Sequence, residues 1–247
     1  MILSRLTWQD VEQLSREIVV LLPTGSLEQH GPHLPLFTDS LLATAVAEAV
    51  EARIPESVLL TPTLWLGASG HHLAFSGSLS NDFDSYMGAI ASIAESLIPH
   101  GFHKFFVLNG HGGNTEPNGM ILRTLKSRHL TCTFGHSGCF GYATEVVSQV
   151  MEGPFKDIRH SCEAEVSLMM HLHPDLVRTE KLRDDGLTGE PPIRGLIHHF
   201  DEMTEQGSLG FATYANAEKG RAIFEASVDG VAREMKALAE GYVMRGV

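Results

Sequence analysis

Ile18-Val19-Val20-Leu21-Leu22 is a short, β-branched apolar run, the composition of a strand covered on both faces in a parallel sheet. Beyond it comes Glu28-Gln-His30-Gly-Pro-His33-Leu-Pro-Leu-Phe-Thr-Asp39, which carries three candidate metal ligands in one rigid stretch. Glu28 and His30 are two residues apart, so on an extended strand end they point to the same side. A turn stiffened by Gly31, Pro32 and Pro35 separates them from Asp39, where an alanine-rich helical pattern begins.

The same alternation continues along the chain. Helical patterns cover Thr7 to Arg16, with Thr7 as N-cap, then Asp39 to Arg53, Asp82 to Pro99, Glu116 to Arg128, Glu163 to His171 and Glu218 to Val243. Strand patterns cover Ile18 to Leu22, Val58 to Leu66 (interrupted by Pro62), Lys104 to Leu108 and Leu130 to Phe134. Residues 67–81 are too polar for a core strand, and residues 180–215 show no periodicity. Strand–helix alternation predicts an α/β fold: a mainly parallel sheet with helices on both faces, in three layers. No composition shift marks a linker and no repeat is visible, so residues 1–247 read as one domain.

The chain's 247 residues suffice for a substantial core. A formal charge of −12 argues against a nucleic-acid partner, which would demand clustered Lys and Arg. Cys132, Cys139 and Cys162 lack paired spacing, so free thiols in a reducing cytoplasm are expected. The N-terminal residues show no charged segment followed by an apolar one, and no run approaches a membrane span; neither secretion nor membrane insertion is expected.

Two more clusters sit at element boundaries. Asn109-Gly110-His111-Gly112-Gly113-Asn114 follows the strand Lys104 to Leu108, and His160-Ser161-Cys162-Glu163-Ala164-Glu165 opens a helix. In doubly wound sheets ligands bind beyond the carboxyl ends of the strands. Glu28 and His30 follow one strand and His111 another, so they are expected to converge. Divalent zinc or manganese takes imidazole nitrogen and carboxylate oxygen, and a shared carboxylate can bridge two ions. Two such ions ~3.5–4 Å apart activate a water and polarise a carbonyl together. Glu28, His30, Asp39 and His111 supply four donors, with a fifth from Glu163 or Glu165. Gly110, Gly112 and Gly113 would let backbone crowd the ions and substrate. Each cluster has a plainer reading: Asp39 as an N-cap, the glycine-rich segment as a tight connection, Cys162 as a small packed residue. Ser26 and Ser69 have no adjacent Ser-His-Asp arrangement, which argues against a serine hydrolase.

Leu22 to Asp39 closely resembles the signature of the creatininase (creatinine amidohydrolase) family. Asn109 to Asn114 resembles its second motif, His160 to Ser167 its third, and Gly67 to Ser78 the segment between. The resemblance implies a three-layer α/β/α domain, two divalent ions (zinc, manganese or iron), often a hexamer, and hydrolysis of C–N bonds in small amides, lactams, formamides or peptides. It implies Glu28 and His111 on one metal, His30 on the other and Asp39 between them. His160 would sit over the substrate as a proton donor or oxyanion partner. Ser69, His72, Gly112 and Gly113 would line the substrate, with His33 and His71 nearby. Creatininase itself carries a metal-binding Glu where this chain has Gly113, so a Glu of the third motif would complete the site. If that segment is helical, Glu163 and Glu165 lie ~200° apart and cannot both face one ion. Glu165 is taken as ligand and Glu163 as catalytic base or as a support behind the ligands, the reverse remaining open. The tryptophans expected of creatininase between the second and third motifs are missing, since Trp8 and Trp65 are the only two. Creatinine itself is therefore a doubtful substrate.

Overall fold

In the computed structural model, which describes residues 1–186, 193 and 195–242, four strands form a parallel sheet. They are β1 (Val19–Thr24), β2 (Val58–Leu60), β3 (Lys104–Asn109) and β4 (Thr133–Gly138), in the order β2-β1-β3-β4. The register pairs Val19 with Val58 on one side of β1, and Val20 with Phe105 through Thr24 with Asn109 on the other. A two-residue antiparallel pair, β5 (Asp184–Asp185) with β6 (Gly210–Phe211), lies apart from the sheet.

The sequence produces three layers because β1 is apolar from Val19 to Pro23 and alternates its faces. Val19 and Leu21 join one core with Val58, Leu60 and Leu108. That core is covered by α2 (Thr38–Arg53), α5 (Thr144–Val150), α6 (Glu163–Leu172) and α8 (Ala217–Glu240). Val20 and Leu22 face the other way, with Leu59, Phe105 and Val107. The helices there are α3 (Phe83–Leu97) and α4 (Thr115–Arg128), which contribute Ile90 and Leu125 among others. The short α1 (Trp8–Glu12) and α7 (Phe200–Met203) complete the helices of the described residues.

Several boundaries differ from expectation for local reasons. Thr7 caps α1 in a reciprocal box with Asp10, yet the helix stops at Glu12, and the Arg16 guanidinium takes up the carbonyls of Val11, Glu12 and Leu14. β2 ends at Leu60 because Pro62 cannot donate to the ladder; Leu64 returns to pair with Thr24. β4 starts at Thr133 rather than Leu130, which lies 75% exposed in the preceding turn. α8 ends at Glu240, and the expected terminus at Val243 lies outside the described residues. The helix α5 was not expected; its Val146-Val147 pair reads locally as strand.

Candidate metal centre

The carboxyl ends of β1 and β3 converge as expected, and they bring four of the candidate ligands into one buried pocket. Asp39, in the first turn of α2, does not cap its helix: Phe37 occupies the N-cap without a side-chain bond. Its carboxylate instead divides between two imidazoles. Oδ1 lies 2.9 Å from His30 Nε2, and Oδ2 lies 3.0 Å from His111 Nδ1 and accepts from Ser26 Oγ at 2.7 Å. Glu28 Oε1 lies 3.2 Å from His111 Nδ1, and Glu165 Oε2 lies 3.9 Å from His30 Nε2. Three donor groups result: Glu28, Asp39 and His111; His30, His160 and Glu165; and Glu28, His72 and His160. Asp39 sits between the first two.

Both histidines are held in the tautomer a metal needs. His30 Nδ1–H donates to the Glu28 carbonyl at 3.1 Å, which turns Nε2 toward Asp39. His111 Nε2–H donates to the Ala68 carbonyl at 3.2 Å, with Ser69 Oγ 3.3 Å away, so Nδ1 faces the carboxylates. Glu28 is 1% exposed, yet neither of its oxygens has a hydrogen-bond partner among the described residues. A buried carboxylate with no donor is costly unless a cation faces it. The donor set therefore fits divalent ions.

Without an ion, protons take the cations' place. Burial would lower His30, but Asp39 beside it outweighs this and holds the ring at about 9. His111, equally buried, is raised well above the ordinary range by Glu28 and Asp39. Burial would raise Glu28, yet the charge of His111 brings it down to about 2. Glu165 is pushed up to about 8, chiefly by burial. His160 goes the other way: burial, reinforced by the charge of His30, drops it well below the usual value and keeps it neutral.

The third cluster turns on a strained residue. Ser161 has φ +50, alone among the described non-glycine residues in that region. Its N–H donates to Glu165 Oε2 at 2.5 Å and its Oγ donates to the His30 carbonyl at 2.7 Å, while His33 Nε2–H reaches its carbonyl at 3.2 Å. This turn orients Glu165 and brings His160 Nδ1 to 3.6 Å from Glu28 Oε1.

Glu163, expected as base or as a support behind the ligands, lies apart from the donor groups at 1% exposure. Its Oε1 accepts from Lys219 Nζ at 2.7 Å and from the Glu152 N–H at 2.9 Å, and its Oε2 accepts from the Gly153 N–H at 2.9 Å. It ties α6 to α8 and to the segment before the His160 turn.

Around the ligands lies a cavity of about 540 Å³, lined by His71, His72, Gly112, Gly113, Phe140, Arg159, His160 and Phe200 among others. His72 Nε2 lies 3.2 Å from Glu28 Oε1, and burial holds this ring at about 3. Gly113 leaves no room for a side chain: a Cβ would meet the Ala68 carbonyl at 2.5 Å and His111 Nε2 at 2.6 Å. Gly110 is as tightly enclosed, with the Asp39 carbonyl 2.7 Å from a Cβ there, whereas Gly112 has open space beside it in the pocket. Sequence reasoning missed Phe200, whose ring stacks on His72 at 4.0 Å and meets His160 edge-on at 4.6 Å, because it stands in a stretch without periodicity. It also missed Lys219, which looked like one more charge on an amphipathic helix.

The creatininase (creatinine amidohydrolase) family pattern matches residues 4–235. The chain belongs to the creatininase family. It is 32% identical over 226 residues to the mycofactocin precursor peptide peptidase of Mycobacterium tuberculosis, covering 87% of this chain and 84% of that protein. It is 31% identical over 245 residues to the creatinine amidohydrolase of Pseudomonas putida, covering 92% and 93%. A solved structure of creatininase with manganese superposes with a TM-score of 0.82 at 31% identity, over 95% of this chain and 97% of that one. Membership makes the chain a hydrolase, and the three-layer α/β fold is the family's.

Proposed function

We propose that this creatininase-family hydrolase uses two divalent ions to cleave a C–N bond in a small amide, lactam or formamide. The observation that carries the reading is the unpartnered, buried Glu28 carboxylate, facing the imidazoles and carboxylates of His111, Asp39, His30 and Glu165. Glu28, Asp39 and His111 would hold one ion and His30, Asp39 and Glu165 the other, with Asp39 shared. Zinc, manganese or iron, when bound, supplies an acidified water and a Lewis acid for the carbonyl. His160, neutral and hydrogen-bonded through Nε2, keeps its Nδ1 lone pair toward the ligands, where it could accept a proton and return it to the departing nitrogen. Ser69 fixes His111, while His72, Phe200 and the backbone of Gly112 and Gly113 wall the substrate and exclude bulk water. Glu163 has no chemical role in this scheme. One catalytic domain over residues 1–247, a hexameric assembly and a cytoplasmic location belong to the same reading and rest on family resemblance.

A second reading, a metal-dependent processing peptidase, is favoured by the identity to the mycobacterial peptidase and by a cavity roomy enough for a peptide end. The test is a panel of creatinine, cyclic amides, N-formyl compounds and short peptides, offered to zinc- and manganese-loaded protein. Turnover of a cyclic amide or formamide supports the first reading, and turnover of peptides alone supports the second. Turnover of creatinine at 1–10³ s⁻¹, roughly the ordinary enzyme range, would contradict the expectation drawn from Gly113 and the missing tryptophans.

A further inference from the structure

Gln29 lies between Glu28 and His30, and its amide meets two histidines of the site at once. The orientation of that amide is fixed by two backbone groups. The Gly31 N–H donates to Oε1 at 2.9 Å, and Nε2 donates to the Gly207 carbonyl at 2.8 Å. One Nε2 proton remains. Two acceptors compete for it: His72 Nδ1 at 2.9 Å and His160 Nε2 at 3.1 Å. His160 Nε2 also lies 2.7 Å from the Gln29 main-chain carbonyl, a contact that requires a proton on that nitrogen. His160 therefore cannot accept from the amide, and the remaining proton goes to His72 Nδ1.

We propose that Gln29 is a positioning residue that sets the tautomers of both His72 and His160, and thereby divides their roles. His72, accepting at Nδ1, carries its proton on Nε2, 3.2 Å from Glu28 Oε1. Its Nε2–H faces Glu28 in an electrostatic contact and not a hydrogen bond, and it offers no lone pair there to an ion, although Glu28, His72 and His160 lie close enough to suggest a third cation position. His160, donating at Nε2 to the Gln29 carbonyl, has its Nδ1 lone pair free toward the ligand cluster. One residue thus makes one histidine a donor and the other an acceptor. Its grip extends to the far segment through Gly207, where φ is +92 and a Cβ would stand 1.8 Å from Gln29 Oε1. Only glycine permits both that backbone and the close approach.

The inference rests on hydrogen bonds around the proposed metal centre, and its test does not need a substrate. Solid-state nitrogen NMR of zinc-loaded protein labelled at histidine reports each ring's tautomer, with signals assigned by difference against His72→Asn and His160→Asn. The expected result is Nε2–H on both rings. Gln29→Glu replaces the donor by an acceptor, so His72 should lose its Nε2–H form in favour of a proton on Nδ1. Zinc affinity, measured by chelator competition, should fall about 10–100-fold, as for other groups packed behind a ligand, because His72 no longer presents its N–H to Glu28. A wild-type His72 protonated at Nδ1 alone would overturn the proposal, whatever the variant does. So would Gln29→Glu with an unchanged His72 signal and unchanged zinc affinity. A protein that shows the expected tautomers yet hydrolyses none of the panel would refute the hydrolytic reading and leave this one standing.

Discussion

The two glutamates of the third motif differ by two residues and should differ completely in what they do when neutralised. Glu163→Gln removes a charge from a buried pair and puts an amide where Oε2 now accepts the Gly153 N–H. If the amide oxygen stays at Lys219, its NH₂ faces that N–H, donor against donor, and one buried donor goes unpaired. An unmet buried donor costs about 1–3 kcal/mol, and breaking a buried ion pair typically brings the total to about 3–5 kcal/mol. Lys219 keeps Glu152 and the Tyr214 carbonyl as partners, so the low end applies, about 3 kcal/mol. For a chain of this size that corresponds to a fall in Tm of roughly 6–12 °C. Glu165→Gln is the opposite case. Its carboxyl is held at about 8 in the metal-free protein and is mostly protonated at pH 7. A neutral amide there should leave the metal-free stability within about 1 kcal/mol of the parent's, while zinc binding weakens. The assay is paired: thermal unfolding of metal-free protein at pH 7, and metal content by elemental analysis after reconstitution. A Glu163→Gln protein of parental Tm that has lost turnover with its metal retained would refute the reasoning and restore Glu163 as the base.

Further outcomes follow from the same geometry. Asp39→Ala should lose both ions together, because Oδ1 and Oδ2 face different imidazoles; elemental analysis showing a fully occupied pair would end its bridging role. The metal-free protein should lose stability as pH rises. His30, raised from 6.5 to about 9, contributes stability that is complete below its unfolded value and vanishes as pH passes 9. Glu165, raised from 4.5 to about 8, acts in the same direction over its own window, while the depressed His72 and His160 act oppositely only below about pH 6.5, so Tm measured from pH 7 to 9.5 should decline. Zinc affinity should climb over that same range, with protons released on binding, which titration in buffers of different ionisation enthalpy would count. Phe200→Ala should leave metal content unchanged and raise KM, since its ring packs on His72 and His160, neither of which is a proposed ligand.

What could be read in advance divides by the distance over which the information is local. β1 and β3 were legible because a strand covered on both faces is apolar at every position, and Val19 through Leu22 carry that signature without tertiary help. The convergence of Glu28, His30 and His111 was legible because parallel strands deliver their following loops to one edge, whatever separates them in sequence. Asp39 was ambiguous, since a first-turn aspartate ordinarily serves its own helix; only the imidazoles on either side turn it toward the site. The choice between Glu163 and Glu165 was beyond local reading. Lys219, whose pairing with Glu163 joins two helices, holds that glutamate away from the donor groups, and the Ser161 turn, whose N–H holds Glu165, keeps the other beside His30. Gln29 lies further still from view, because the group that fixes its amide is the carbonyl of Gly207, and a glutamine beside two ligands announces nothing of that kind. Motifs name the groups that touch metal, because those must be particular elements at particular spacings. The residues that orient those groups need only a donor in the right place, which any part of the chain can supply, and so their assignment had to wait for the fold.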